Sequence, residues 1–335
     1  MRKKILAALL ATTMVFTALG CGSKDATKAD ESVSDTTDAA EGGEASDDKY
    51  IAMVSLGFGH QFWQAVKQGA EEAAAEAGYR ITFEGPETET MVDKQVDMLK
   101  TALANNPKAV CMAAIDTESV ATILQEAKDK GIPVVGFDAG VGEEESDSKC
   151  STDNLAAGAL AAEHAAEILG EKGKVAVIGH SQTTIDAVQR VDGFLEKIKE
   201  YPEIEVVDVQ YGEGDQLKSA EIAKSMVTAN ADLDLIYTSN EGACVGAYNG
   251  LKEVNKLEDV KLIGFDSSAA LKQAIRDGEI VGAITQDPIG MGRKTIEVAI
   301  ALINGEEVDD YYDTGCRWYD ASNMDDEDIA PLLYD

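Results

Sequence analysis

The residues best suited to chemistry are polar groups that follow short apolar runs. Asp138 follows the run 133–137, Asn240 lies just beyond 233–238, Asp266 follows 261–265 and Gln286 follows 281–285. Near the start, Gly57-Phe58-Gly59-His60-Gln61-Phe62-Trp63 sets a histidine and two adjacent aromatics after the run 51–56. Arg190 adds a guanidinium from the stretch 185–201. Carboxylates accept hydroxyl protons, Asn and Gln both donate and accept, and Arg donates through a rigid fork. Aromatic faces cover C–H patches. Together these groups suit a small polyhydroxylated molecule, with hydroxyls around its rim and C–H faces above and below. A hydrogen bond to a charged group contributes roughly 1.5–3 kcal/mol. Several of them, with ring contact, reach the ~8 kcal/mol of micromolar binding even after association costs. Any one of Asp138, Asn240, Asp266 and Gln286, taken alone, is equally well explained as a turn former or helix cap. Their recurrence at strand ends is what points to a ligand.

Enzyme chemistry has weaker support. The chain holds three histidines, His60, His164 and His180. His164 sits among alanines in a helical stretch and reads as structural. Gly179-His180-Ser181 offers a His–Ser pair, but without the G-x-S-x-G turn of a hydrolase. No phosphate-binding loop is present, and Gly57-Phe58-Gly59 lacks the third glycine of a dinucleotide site. Asp138 and Asp266 would serve as an acid–base pair for glycoside hydrolysis, yet binding accounts for them without a shifted pKa. No catalytic residue, metal site or cofactor is expected.

The elements that must position these residues alternate between strand and helix. Residues 50–83 read as strand, ligand-facing loop, helix 61–77 closed by Gly78, and strand. Helix 90–104, strand 109–114, helix 119–130, strand 133–137 and strand 149–152 complete one half. The second half repeats the pattern: helix 155–169, strand 174–178, helix 185–201, strand 204–210, helix 217–229 and strand 233–238. Helix 243–254, strand 261–265, helix 269–277, strand 281–285 and helix 290–303 follow, and 311–319 reads as a final strand. The expectation is an α/β chain of two lobes, each a mostly parallel sheet with helices on both faces, and a cleft between them. Ligands in such sheets sit at the carboxyl ends of the strands.

With 335 residues the chain is long enough for two cores. A formal net charge of −33 excludes nucleic acid as a partner. Arg2, Lys3 and Lys4 followed by the apolar stretch 5–19 read as a signal peptide over 1–20. Ala18-Leu19-Gly20-Cys21 looks like a bacterial lipobox, which would make Cys21 the lipidated first residue of an extracytoplasmic, membrane-anchored chain. Residues 21–49, rich in Ser, Thr, Gly and acidic side chains, read as a disordered linker. Cys111, Cys150, Cys244 and Cys316 lack the spacing of a zinc site. Cys111 and Cys150 suit buried thiols, and any disulfide among the four stays open.

At this point the motifs become familiar. IAMVSLGFGHQFWQAVKQGAEEAAAEAGY, GIPVVGFDAG, STDNLAAGALAA, QRVDGF, LDLIYTSNEGACVGAYNGL, VKLIGFDSS and ITQDPIGMG resemble periplasmic sugar-binding proteins of the ribose-binding type, the solute receptors of ABC importers. The resemblance spans residues 50–319. It implies a type I periplasmic binding protein fold, with a first lobe of 50–153 plus 287–314 and a second of 154–286 plus 315–335, joined by a three-segment hinge. It implies that Phe62 and Trp63 form a stacking wall and that Asp138 binds ring hydroxyls from the first lobe. Arg190, Asn240, Asp266 and Gln286 would bind from the second, with His60 reaching a hydroxyl. The implied protein is a monomer that hands a pentose, hexose or polyol to a membrane permease. The alternative within the same fold is a receptor presenting a sugar or autoinducer-like ligand to a membrane sensor. A LacI-type regulator shares the fold but carries a basic DNA-binding segment that this chain lacks. Two departures stand out. Ala139 replaces a second arginine, and Gly214 replaces an aromatic over the other sugar face, where Tyr211 is a candidate substitute.

Overall fold

A computed structural model describes residues 49–334. The signal segment, Cys21 and the linker up to residue 48 lie outside the described residues. The first strand shows why the chain folds as it does. In β1 (Tyr50–Val54) every residue is buried. Ile51 and Met53 enter one core, while Tyr50, Ala52 and Val54 enter another on the opposite face. A strand with period-2 side chains and helices on both sides has no polar face, so it reads as a continuous apolar run.

The first half continues with α1 (Gln61–Ala77), β2 (Arg80–Glu84), α2 (Val92–Ala104), β3 (Ala109–Met112), α3 (Thr117–Asp129), β4 (Val134–Phe137) and β5 (Ser148–Ser151). The chain then builds α4 (Asn154–Leu169), β6 (Lys172–Gly179), α5 (Ile185–Ile198), β7 (Glu203–Tyr211), α6 (Gln216–Ala229) and β8 (Leu235–Thr238). There follow α7 (Glu241–Glu253), β9 (Lys261–Phe265), α8 (Ala269–Arg276) and β10 (Gly282–Gln286). Finally come α9 (Pro288–Ile303), β11 (Tyr311–Asp313), β12 (Cys316–Tyr319) and a short 3₁₀ turn, Ala330–Leu332. Gly78 and Gly170 close α1 and α4 in left-handed conformation, and Asp116, Asp153, Asp215 and Asp287 cap α3, α4, α6 and α9.

Two six-stranded sheets result, ordered β11-β5-β4-β3-β1-β2 and β12-β10-β9-β8-β6-β7. All pairs are parallel except β10 with β12. The two halves thus repeat one doubly wound order, and each has a switch point beside its first strand, where crevices form. After β10 the chain returns to the first half, because α9 packs on α1 and on β3, β4 and β5. The stretch expected to be one final strand is two. Tyr311–Asp313 pairs with β5, Thr314-Gly315 breaks the run with Gly315 at φ +80, and Cys316–Tyr319 pairs with β10 in the other sheet. A left-handed residue cannot continue a strand. Helix α5 also ends at Ile198, three residues before the predicted 201. Among the described residues no helix is long and apolar enough to cross a membrane, and no group of His, Cys, Asp and Glu has the arrangement of a metal site. Cys111, Cys150, Cys244 and Cys316 are all free thiols.

Candidate functional site

The carboxyl ends of the strands converge on a cavity of ≈ 320 Å³, counted to its mouth and lined from both halves. All eight residues singled out in the sequence line it: His60, Phe62, Trp63, Asp138, Arg190, Asn240, Asp266 and Gln286. Leu56, Glu89, His180, Asp186 and Glu241 line it as well.

Asp138 follows β4 and Asp266 follows β9, the corresponding strands of the two sheets, each after a Gly-Phe pair. Both adopt left-handed backbone, φ 53 and φ 72. Asp tolerates this conformation better than most residues, and strained backbone at two matching strand ends points to function. Asp266 is held by Gln286, whose Nε2 donates to Oδ1 at 2.7 Å, and by the Glu241 N–H, which donates to Oδ2 at 3.0 Å. Among the described residues no side chain donates to the Asp138 carboxylate; its donor is the backbone N–H of Ala139, and Arg190 Nη2 stands 3.9 Å away.

Arg190, 2 % exposed, is the hub. Its Nε donates to Asn154 Oδ1 at 2.8 Å, Nη1 to the Ser239 carbonyl at 3.0 Å and Nη2 to Gln286 Oε1 at 3.1 Å. The guanidinium carbon lies 3.9 Å from the centroid of the Phe265 ring. A guanidinium has five N–H donors and three are used here, so two remain for other acceptors. Arg190 therefore ties α4, β8 and β10 together as well as facing the cavity. Asn240 also divides its functions. Its Oδ1 caps α7 through the Ala243 N–H at 2.8 Å, the cap explanation raised from sequence, while its residue still borders the cavity.

The two aromatics do not form one flat wall. Their rings meet edge to face, with centroids 4.9 Å apart and an angle of 82° between planes. One of them can present a face to a flat apolar surface while the other presents an edge. Trp63 is pinned by its indole N–H, which donates to Glu89 Oε1 at 3.0 Å. Tyr211 does not line the cavity; its ring packs against Gly179. Gly214 lies in the outer groove with Glu89, Glu213 and Asp215, and the Glu89 carboxylate stands 2.9 Å from where a side chain at 214 would begin.

His180 bonds Ser239 Oγ through Nδ1 and Asp186 Oδ2 through Nε2, each at 2.8 Å. Ser, His and Asp in this order are the parts of a hydrolytic relay. Ser239 is wholly buried, however, and is absent from the cavity wall. The relay faces inward and braces Asp186, which stands 3.9 Å from Arg190.

The electrostatics are lopsided. Burial, with the charges of Asp186 and Asp266, pushes Asp138 up to about 8 against the pull of Arg190. Burial pushes Glu241 up to about 7, opposed by His60 and reinforced by Asp266. Asp266 is raised too, mainly by burial. Burial would also raise Asp186, but the charge and hydrogen bond of His180, and then Arg190, outweigh it and hold the carboxyl below its ordinary range. The sequence reading needed no shifted carboxyl. The folded cavity has three raised ones. Asp186 had a usable sequence signal, one helical turn before Arg190. Glu241 directly follows Asn240, and Glu89 lies in a loop with no periodicity, so neither stood out.

A family model described as periplasmic binding protein domain matches residues 51–307. The ribose import binding protein of Escherichia coli is 25% identical over 262 residues, covering 78% of this chain and 87% of that one. A solute-binding protein of an ABC transporter from Agrobacterium vitis, solved with α-D-tagatopyranose, superposes with a TM-score of 0.83 at 27% identity, over 86% of this chain and 99% of that one. A carbohydrate transporter solute-binding protein from Agrobacterium radiobacter, in complex with D-arabinose, gives 0.81 at 30% identity, over 85% of this chain and 99% of that one.

Proposed function

Because this chain belongs to the periplasmic binding protein domain family, we propose that it captures a monosaccharide or related polyol between its two halves and delivers it to an ABC importer. The observation that carries this reading is the convergence of Asp138, Arg190, Asn240, Asp266 and Gln286 with Phe62 and Trp63 on one cavity. Relatives of the same fold bind ribose, tagatopyranose and arabinose, as their names state. The protein works outside the cytoplasm, anchored through lipidated Cys21 and held off the membrane by the linker 21–49. In this reading it is monomeric and its membrane partner is a permease. The segments near Asp153, Gln286 and Gly315 act as the hinge, since the strands on either side of each belong to different sheets or pack on different halves. Contacts from both halves would favour the closed form when ligand is present.

A panel of pentoses, hexoses and polyols, screened by titration calorimetry with tryptophan fluorescence, tests the proposal. Trp63 in the cavity wall should report binding. At one hundred times Kd a sugar ligand should add about 2.7 kcal/mol of stability, visible as a raised Tm. No heat, no fluorescence change and no thermal shift across the panel would remove the sugar reading.

A further inference from the structure

The cavity is charged beyond what a neutral sugar requires. Five carboxyl groups line it, from Glu89, Asp138, Asp186, Glu241 and Asp266, against one guanidinium from Arg190 and the imidazoles of His60 and His180. Asp186 is matched by His180 at 2.8 Å. Arg190 has a single charge to share between Asp138 and Asp186, both 3.9 Å away. Asp266 is satisfied by Gln286 and a backbone amide, which carry no charge. Glu241, 6 % exposed, accepts backbone N–H bonds from Phe62, to Oε2 at 3.4 Å, and from Gln61, neither of which carries charge. Glu89 and Glu241 then share His60, whose Nε2 lies 3.7 Å from Glu89 Oε1. Fully ionised, five carboxylates would outnumber the three possible cations, and burial holds Asp138 and Glu241 toward their protonated forms instead. A neutral ligand leaves those carboxyls without a cationic partner, whereas a bound cation would let them ionise.

A second observation agrees. Asp138 is 4 % exposed, lines the cavity and, among the described residues, has a backbone N–H as donor and no side chain nearer than Arg190 at 3.9 Å to pair with its carboxylate. The groove outside the cavity continues the sign, with Glu87, Glu89, Glu213 and Asp215 along it. Lys218 there is already bound to Glu213 at 2.8 Å. A field of one sign funnelled into a low-dielectric cleft concentrates ions of the other.

We propose that the ligand is a polyhydroxylated amine, such as an amino sugar or amino-polyol, whose ammonium group supplies the positive charge that the cavity lacks. The proposal rests on the sugar-binding reading and narrows it. The hydroxyl rim is held by Asp138, Arg190, Asp266 and Gln286, and the ammonium sits toward Glu241 and Glu89. Three hydrogens on nitrogen then meet carboxylate oxygens whose protein donors are uncharged, the Trp63 indole on Glu89 and backbone N–H groups on Glu241.

The test is titration calorimetry of the intact protein with matched sets: D-glucosamine, D-glucose and N-acetyl-D-glucosamine, and the same three forms of galactose and mannose. In at least one set the amine should bind about tenfold or more tighter than both the neutral parent and the acetylated form. Glu241→Gln, checked for folding by thermal unfolding, should narrow that gap. If neutral parents bind as tightly as their amines, the amine proposal falls and the sugar reading stands. If no member of any set binds, and neutral pentoses and polyols bind instead, the amine proposal falls again. If nothing binds at all, both fall together.

Discussion

Asp138 carries two burdens at once. It sits in left-handed backbone and it is a carboxyl buried beside Asp186 and Asp266 with Arg190 as its cationic neighbour. Its folded pKa of about 8 lies above the ordinary 3.8, so the protonated form is the one the fold prefers. Stability from that proton is complete below about pH 4 and is lost as pH rises through about 8. Asp138→Asn removes the titration while keeping the shape. The Asp138→Asn protein should therefore gain on the wild type between pH 5 and 8 by at least ~1 kcal/mol, about 2–4 °C in Tm. It should also lose sugar binding, the usual conflict between a strained site and stability. Thermal unfolding of both proteins across that pH range checks the sign. A Tm difference that stays constant with pH would mean Asp138 is ionised throughout.

At the scale of elements, Arg190 is aimed by a helix contact. Helices α4 and α5 approach so closely that a Cβ on Gly158 would lie 2.2 Å from the Arg190 carbonyl oxygen, and one on Gly193 would lie 2.2 Å from that of Leu155. Backbone cannot give way as a side chain does. Gly158→Ala should push α5 aside, cost roughly 1–3 kcal/mol and weaken ligand binding by moving Arg190. Denaturant unfolding and calorimetry on one sample measure both effects. Loss of stability with unchanged affinity would show that Arg190 is not positioned through this contact. The C-terminal tail makes a different kind of link. The Ser267 N–H donates to Tyr334 Oη at 3.1 Å, while the Tyr334 ring packs in the first half's core, 6.2 Å from Phe62. The tail thus touches both halves at the back of the cavity wall.

For the whole molecule, the halves meet around the cavity through few polar contacts. The Ala269 N–H donates to Gln61 Oε1 at 3.2 Å, the Phe62 N–H to Glu241 Oε2 at 3.4 Å, and Thr152 Oγ1 to Gln286 Oε1 at 2.8 Å. With the Arg190–Asp138 approach at 3.9 Å and the Ser267–Tyr334 bond, these contacts are a weak clasp beside the cores within each half, so ligand contacts should decide the balance between open and closed forms. Small-angle scattering should show the radius of gyration falling when the tightest sugar from the panel is added to saturation. An unchanged radius would replace hinge closure with a preformed site.

Much of this was legible along the chain. Strands β1, β4, β8, β9 and β10 fall within a few residues of their apolar runs, because buried parallel strands must be apolar on both faces and small or polar turn residues follow them. The four polar residues after strands were found for the same reason: a carboxyl strand end is where the sheet opens to ligand. Glu89, Asp186 and Glu241 were not found. With 62 acidic residues in 335, one more Glu or Asp carries no signal until folding removes water from around it. The angle between Phe62 and Trp63 was equally hidden, since it depends on Glu89 holding the indole and Tyr334 bordering the phenyl ring. Local period and turn chemistry, both written in neighbouring residues, determined the elements and where each presents its polar end. Which sheet receives β11 or β12, and which carboxyls end up buried together, depends on contacts between residues far apart in sequence, so only the tertiary structure decided them.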